Sequence, residues 1–110
     1  MKKVKIGFIG IGLMGYPMAK NLLKSKYQVK VFNRTKIKAF KLKKFGAEVC
    51  NSLKEVVSDR DLIITMLSDD KAIKKIYFNS EFLKNLKAGS TVIDMSSATV
   101  SYTHLRAHET

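Results

Sequence analysis

The feature that most narrows what this chain can fold into is Gly10-Ile11-Gly12-Leu13-Met14-Gly15, a G-x-G-x-x-G pattern set between two opposed periodicities. Before it, Val4-Lys5-Ile6-Gly7-Phe8-Ile9 is short, β-rich and reads as a buried first strand. After it, residues 13 to 25 carry helical spacing: Met14, Met18 and Leu22 recur every four, with Ala19 and Leu23 beside them. Pro17 falls near the first turn, where a missing N–H costs little. Each glycine has a mechanical reason. Gly10 permits the tight strand-to-helix turn, Gly12 lets the backbone approach a pyrophosphate, and Gly15 lets the helix pack closely on the sheet. The helix start then turns free N–H groups and a partial positive charge toward phosphate. Together the strand, turn and helix predict dinucleotide binding.

The rest of the chain repeats the alternation. Gln28 to Phe32 alternates polar and apolar and predicts a second strand. Residues 36 to 45 predict a Lys-rich amphipathic helix, with Ile37, Phe40 and Leu42 or Phe45 inward and Gly46 ending it. Ala47 to Cys50 predicts a third strand, and Ser52-Leu53-Lys54-Glu55 is a capping box opening a short helix. The run Leu62 to Leu67 is the most apolar and predicts a strand buried on both faces. Asp69 or Ser68 is expected to cap a helix containing Ala72, Ile73 and Ile76. A short helix with Phe82, Leu83 and Leu86 should end near Gly89, followed by a fifth strand at Thr91 to Asp94. Strands alternating with helices over short connections mean βαβ units. The predicted fold is α/β, a doubly wound parallel sheet of Rossmann type, incomplete at its C-terminal end.

The end of the second strand discriminates between cofactors. An NAD site usually places Asp or Glu there to hold the adenosine ribose. Here the chain reads Asn33-Arg34-Thr35. No carboxylate stands ready to repel a 2′-phosphate, and Arg34 offers it a planar fork of donors. Asn33 and Thr35 are expected to add hydrogen bonds, and Lys36 and Lys38 to raise the local potential. The pattern favours NADP (NADPH) over NAD.

Composition mainly excludes. The net charge of +12 attracts polyanions in principle. The cations are mostly lysines scattered along the chain, which reads as solvated surface; only Arg34, Arg60 and Arg106 are arginine. A basic nucleic-acid module should interleave aromatics with its cations. Phe8, Phe32, Phe40 and Phe45 instead fall at expected core positions, so no nucleic-acid partner is expected. The lone Cys50 excludes an internal disulfide and reads as a small core residue. No metal site is expected. The opening Met1-Lys2-Lys3 is followed by too short and too glycine-broken an apolar run for a signal peptide, and no stretch is long enough to span a membrane. A cytoplasmic location is expected.

Phe8 to Leu22, with Met14, Pro17, Met18 and Asn21 in place around the glycines, resembles the N-terminal segment of the β-hydroxyacid dehydrogenases. That family includes 3-hydroxyisobutyrate dehydrogenase, 2-hydroxy-3-oxopropionate reductase and the glyoxylate/succinic semialdehyde reductases, and is related to 6-phosphogluconate dehydrogenase. Ile11 departs from its usual Leu, conservatively. Asn33-Arg34-Thr35 resembles the NADP-preferring members. Ile63 to Ser68 resembles the fourth strand, which implies that Met66 and Leu67 line the nucleotide site. Ile93-Asp94-Met95-Ser96-Ser97 resembles the D-x-S-[ST] segment, which implies that Ser96 and Ser97 bond cofactor or substrate; as plain residues they equally read as helix caps. The resemblance implies hydride transfer between a nicotinamide and a short β-hydroxy acid or its semialdehyde. It also implies a second, helical domain that supplies the dimer interface, the substrate pocket and a catalytic lysine. None of the lysines here lies in that lysine's motif, so no catalytic residue is assigned and this chain is expected to be inactive alone.

The resemblance covers residues 3 to 99. Residues 100–110, Val100 to Thr110, read as the one-frame translation of a transposon-end adapter used in DNA sequencing libraries. His104 and His108 within it are therefore not read as a metal pair, and one sheet edge is expected to be bare. The domain is assigned to residues 1–99. Three alternatives share these features: an imine reductase with the same N-terminal half, a non-catalytic Rossmann sensor domain, and the basic nucleic-acid module. The expected partners are a small-molecule substrate and a second copy of the intact enzyme, with no membrane.

Overall fold

The computed structural model describes residues 4–67 and 70–95, together with the backbone of 103–106. The strands are β1 (Lys5–Ile9), β2 (Gln28–Phe32), β3 (Glu48–Val49), β4 (Leu62–Thr65), β5 (Thr91–Asp94) and β6 (Thr103–Arg106). The helices are α1 (Gly15–Lys24), α2 (Lys36–Phe40), α3 (Leu53–Val57), α4 (Asp70–Tyr77) and α5 (Ser80–Lys84), with a 3-10 turn at Lys43–Phe45. The sheet order is β3-β2-β1-β4-β5-β6, and β1 to β5 are all parallel. This is the doubly wound sheet the alternation predicts, with β1 at its centre.

Side chains on alternate sides of the strands build two cores. On one side Ile6, Phe8, Val29, Val31 and Ile64 pack with Ala19 and Leu23 of α1. On the other, Ile9, Ile63 and Val92 pack with Val56 and Val57 of α3 and with Phe82 of α5. Cys50 is buried in this second core, as expected. Burial pushes its thiol up to about 11, so it stays protonated and inert.

The capping box forms. The Ser52 hydroxyl accepts the Glu55 N–H at 3.2 Å, and the Glu55 carboxylate reaches back to the Asn51 N–H at 3.1 Å. Ser52→Ala should therefore cost about 1 kcal/mol, read as a lower urea midpoint with an unchanged slope. An unchanged midpoint would show that packing of Val56 and Val57 alone holds α3.

The second helix differs from expectation. It ends at Phe40, and its buried residues are Ala39 and, one turn on, Leu42. Ile37 and Phe40 are exposed, at 68% and 49%, with the Lys43 ammonium 5.8 Å from the Phe40 ring. A five-residue helix presents barely one turn, so only one small residue reaches the sheet. Phe45 is half-buried against the first core. Gly46 closes the turn at φ +103°, in the left-handed region. In the later helix Phe82 is buried but Leu83 is half-exposed. The expected cap at Ser68 or Asp69 lies outside the described residues.

The β5 edge also differs: β6 pairs along it antiparallel, Thr91 opposite Arg106 and Asp94 opposite Thr103. The link between the two strands is far shorter than the dozen or more residues a parallel crossover needs, so the chain can only fold back.

At the amino ends of the strands, Lys5 pairs with Asp59 at 2.9 Å and Lys87 with Asp61 at 2.8 Å. Bonds from Lys5 and Lys87 hold both carboxyls below their usual range. This edge is a structural clasp, which leaves the carboxyl ends of the strands as the open side.

Candidate functional site

A cleft of about 390 Å³ opens over the carboxyl ends of β1, β2 and β4. The strand order reverses there, with β2 on one side of β1 and β4 on the other. Ligands of open α/β sheets bind at that switch point. The glycine turn forms the floor, through Gly10, Ile11 and Gly12. One wall comes from the end of β2 and from α2, with Asn33, Arg34, Thr35 and Lys38. The other comes from the end of β4 and from α4, with Met66, Leu67, Ala72, Lys75 and Ile76. A second cavity of about 450 Å³ adjoins on the α1 side, lined by Leu13, Tyr16, Pro17 and Lys41, and shares Gly12 and Lys38 with the first.

The three glycines of the turn do different work. Gly10 sits at φ +101°, and a methyl group on it would overlap the Met66 carbonyl. A methyl on Gly15 would overlap the Gly10 carbonyl. Both glycines are therefore required by packing between backbones. A methyl on Gly12 would meet nothing within 4 Å. The space above Gly12 is what a pyrophosphate lying against the backbone would need. Helix α1 begins beside it, with no side-chain cap and no acid in its first turn. Among the described residues the N–H groups of Gly12, Leu13 and Met14 have no acceptor. These groups fit a dinucleotide phosphate.

The turn is tied to β2 on both sides. The Gly10 N–H donates to the Phe32 carbonyl at 3.0 Å. The Ile11 N–H donates to the Asn33 Oδ1 at 2.8 Å, and the Asn33 Nδ2 donates to the Thr35 carbonyl at 2.9 Å. The Asn33 amide, read from sequence as a phosphate donor, is thus engaged inside the protein. The reason is local: the Ile11 side chain is fully buried, which turns its N–H toward β2, where it needs an acceptor. Asn33→Ala should leave that N–H bare, costing roughly 1–3 kcal/mol of stability, and should loosen the turn so that nucleotide affinity falls too. A variant with wild-type stability and affinity would refute the clamp.

Arg34 is exposed at the end of β2, and no described residue bonds or pairs with it. Among the described residues, those lining the cleft include three cations, Arg34, Lys38 and Lys75, and no carboxylate.

Beneath the α4 wall lies a buried relay that sequence reasoning did not find. Tyr77 of α4 bonds the Thr65 hydroxyl at 2.8 Å, and Thr65 donates to the Asp94 carboxylate at 3.1 Å. With Thr65 donating to the carboxylate, the phenol donates to Thr65. Burial pushes the Tyr77 phenol up to about 12, so it keeps its proton. The Tyr77 ring also meets Phe82 edge-on at 5.4 Å. These contacts fix α4 to the ends of β4 and β5 and so hold the second wall in place.

Of the residues singled out from sequence, Gly10, Ile11, Gly12, Asn33, Arg34, Thr35, Met66 and Leu67 come together around the cleft. Leu13 and Met14 do not line it; their side chains are 95% and 60% exposed, and Leu13 lines the adjoining cavity. Gly15 is buried packing. Ser96 and Ser97 lie outside the described residues. Leu53, Ala72, Lys75, Ile76 and Asn79 also line the cleft and were missed. Their only sequence signal is that they follow the carboxyl ends of strands, Leu53 after β3 and the other four after β4.

Fold and cleft together define a dinucleotide-binding domain of Rossmann type. The chain belongs to the family of the NAD binding domain of 6-phosphogluconate dehydrogenase, which it matches over residues 5–110, past the residue 99 at which the resemblance was expected to stop. It is 40% identical over 95 residues to glyoxylate/succinic semialdehyde reductase 1 of Arabidopsis thaliana, covering 86% of this chain and 33% of that one. The solved 3-hydroxyisobutyrate dehydrogenase of Mycobacterium tuberculosis superposes with a TM-score of 0.80 at 29% identity, over 87% of this chain and 32% of that one. An imine reductase of Myxococcus stipitatus, solved in complex with NADP+, gives a TM-score of 0.80 at 28% identity, over 86% and 32%. The chain thus spans about a third of the length of the relatives it matches.

Proposed function

We propose that the chain binds NADP(H) in the cleft and serves as the cofactor-holding domain of an oxidoreductase acting on a short β-hydroxy acid or its semialdehyde. The observation that carries the cofactor choice is Arg34, free at the end of β2 in a cleft lined, among the described residues, by no acid. Gly10, Gly12 and Gly15 shape the turn, and the N–H groups of the turn take the pyrophosphate. Arg34, Thr35 and Lys38 face the adenosine phosphate, Met66 and Leu67 bound the opposite wall, and Ser96 and Ser97 are assigned to the nicotinamide end. When bound, the nicotinamide supplies the hydride. The residues of this chain position it and exclude water; proton transfer and the substrate pocket are assigned to the length the relatives have beyond the match, as is assembly into a homo-oligomer.

The described residues that line the cleft lie between Ile9 and Asn79, within the domain assigned to residues 1–99, and residues 100–110 are given no role in binding. No described helix is long and apolar enough to cross a membrane. With the reduced, buried Cys50, this supports a cytoplasmic location. The imine reductase reading stays beside the hydroxy-acid one, because the two solved relatives match equally well in this domain.

Titration of the chain with NADPH and NADH, followed by calorimetry, tests the proposal. Tighter binding of NADPH is expected. Equal affinity would remove the NADP preference, and binding of neither by a folded sample would remove the cofactor-binding role. No turnover of NADPH with glyoxylate or succinic semialdehyde is expected from these 110 residues.

A further inference from the structure

Helix α4 carries three lysines, Lys71, Lys74 and Lys75, and one of them faces the cleft. Ala72, Lys75, Ile76 and Asn79 all line the cleft. Within α4 the spacing of three and four from Ala72 to Lys75 and Ile76 is that of a single helix face, and Asn79 follows just past the helix end. Lys71 and Lys74 fall off this stripe and do not line the cleft. Lys75 is thus the one charged residue among those described on this wall of the cleft, opposite the wall of Arg34 and Lys38. That wall is held by the Tyr77–Thr65–Asp94 relay, so the base of the Lys75 side chain is fixed while its ammonium stays exposed. No described acid pairs with it.

We propose that Lys75 is a specificity-determining residue that closes on the 2′-phosphate of the adenosine ribose from the side opposite Arg34. This rests on the NADP reading above and adds a second wall to it. The pyrophosphate end of the cleft is served by peptide N–H groups at the start of α1. Of the described residues lining the cleft, only Arg34, Lys38 and Lys75 carry full positive charge. A dianionic phosphate between two walls gains from a charge on each, whereas a bare ribose hydroxyl gains little from either. A lysine suits the role, since its flexible stem lets a point charge follow the phosphate from the rim.

The test compares 2′,5′-ADP with 5′-AMP, which differ only in the 2′-phosphate, by calorimetry on the full chain at low salt. Lys75→Gln should weaken 2′,5′-ADP roughly three- to tenfold and leave 5′-AMP nearly unchanged. Lys75→Arg should restore the discrimination. Equal weakening of both ligands would mean that Lys75 meets the part they share, and no change in either would mean that it meets neither; both overturn the proposal. Arg34→Gln distinguishes its failure from that of the underlying reading. If Arg34→Gln abolishes discrimination and Lys75→Gln does not alter it, only the second wall falls. If wild type does not discriminate, both fall.

Discussion

Gly10→Ala and Gly12→Ala should give opposite phenotypes, although they lie two residues apart in one motif. At Gly10 a methyl group meets the Met66 carbonyl at a backbone φ of +101°. The left-handed conformation alone costs a non-glycine residue about 1–2 kcal/mol. The overlap cannot be relieved by a small shift, because the Met66 N–H is bonded to the Ile9 carbonyl at 2.9 Å, on the central β1–β4 pair. The sheet would have to part at its centre. A loss of roughly 3–5 kcal/mol is expected, a large share of the 5–15 kcal/mol of a typical domain. At Gly12 the methyl meets nothing, and φ is not in the left-handed region. Its stability should stay within about 0.5 kcal/mol of wild type or rise slightly through a stiffer unfolded chain. Its affinity for NADPH should fall about tenfold or more, since the methyl stands where the pyrophosphate must approach. Urea unfolding and NADPH titration of both variants check this. If Gly12→Ala binds normally, the pyrophosphate does not lie over this turn.

Arg34→Asp should invert the cofactor preference without touching the fold. The side chain is exposed and holds nothing else in the described structure, so the unfolding midpoint should not move. Charge-assisted hydrogen bonds to a phosphate contribute roughly 1.5–3 kcal/mol. Replacing the guanidinium by a carboxylate adds repulsion to that loss, so NADPH affinity should drop by about a hundredfold. NADH affinity should hold or improve, because a carboxylate at the end of β2 can accept from the ribose hydroxyls. Added salt should weaken wild-type binding of NADPH more than that of NADH. An equal loss for both cofactors would place Arg34 against something they share, such as the adenine or the pyrophosphate.

How much was legible in the sequence differs element by element. The glycine turn, the capping box at Ser52 and Glu55, and β5 are local events, decided by residues within one turn or one strand. Each could be read from neighbours in sequence, and each stands where expected. The α2 segment failed because a helical pattern says which residues share a face, not how long the helix lasts. Ending at Phe40, it turned Ile37 and Phe40 outward and left Ala39 to face the sheet, while Leu42 beyond it is buried as expected.

The site divides in the same way. Arg34 was legible because its position relative to the glycines is fixed by one strand–helix–strand unit. Asn33 was assigned to the ligand, and the structure gives its amide to the Ile11 N–H, a partner 22 positions away. The second wall was illegible for a related reason. Leu53 follows β3 while Ala72, Lys75 and Ile76 follow β4, and only the pairing of β3 with β2, β2 with β1 and β1 with β4 brings those strand ends to one place. The sequence by itself determined the alternating fold, the glycine turn and the sign of charge at the end of β2, since backbone conformation and formal charge are properties of a few adjacent residues. Tertiary structure alone decided which side chains remain free for a ligand and what stands across from Arg34, because buried hydrogen bonds and cleft walls join residues that the chain keeps far apart.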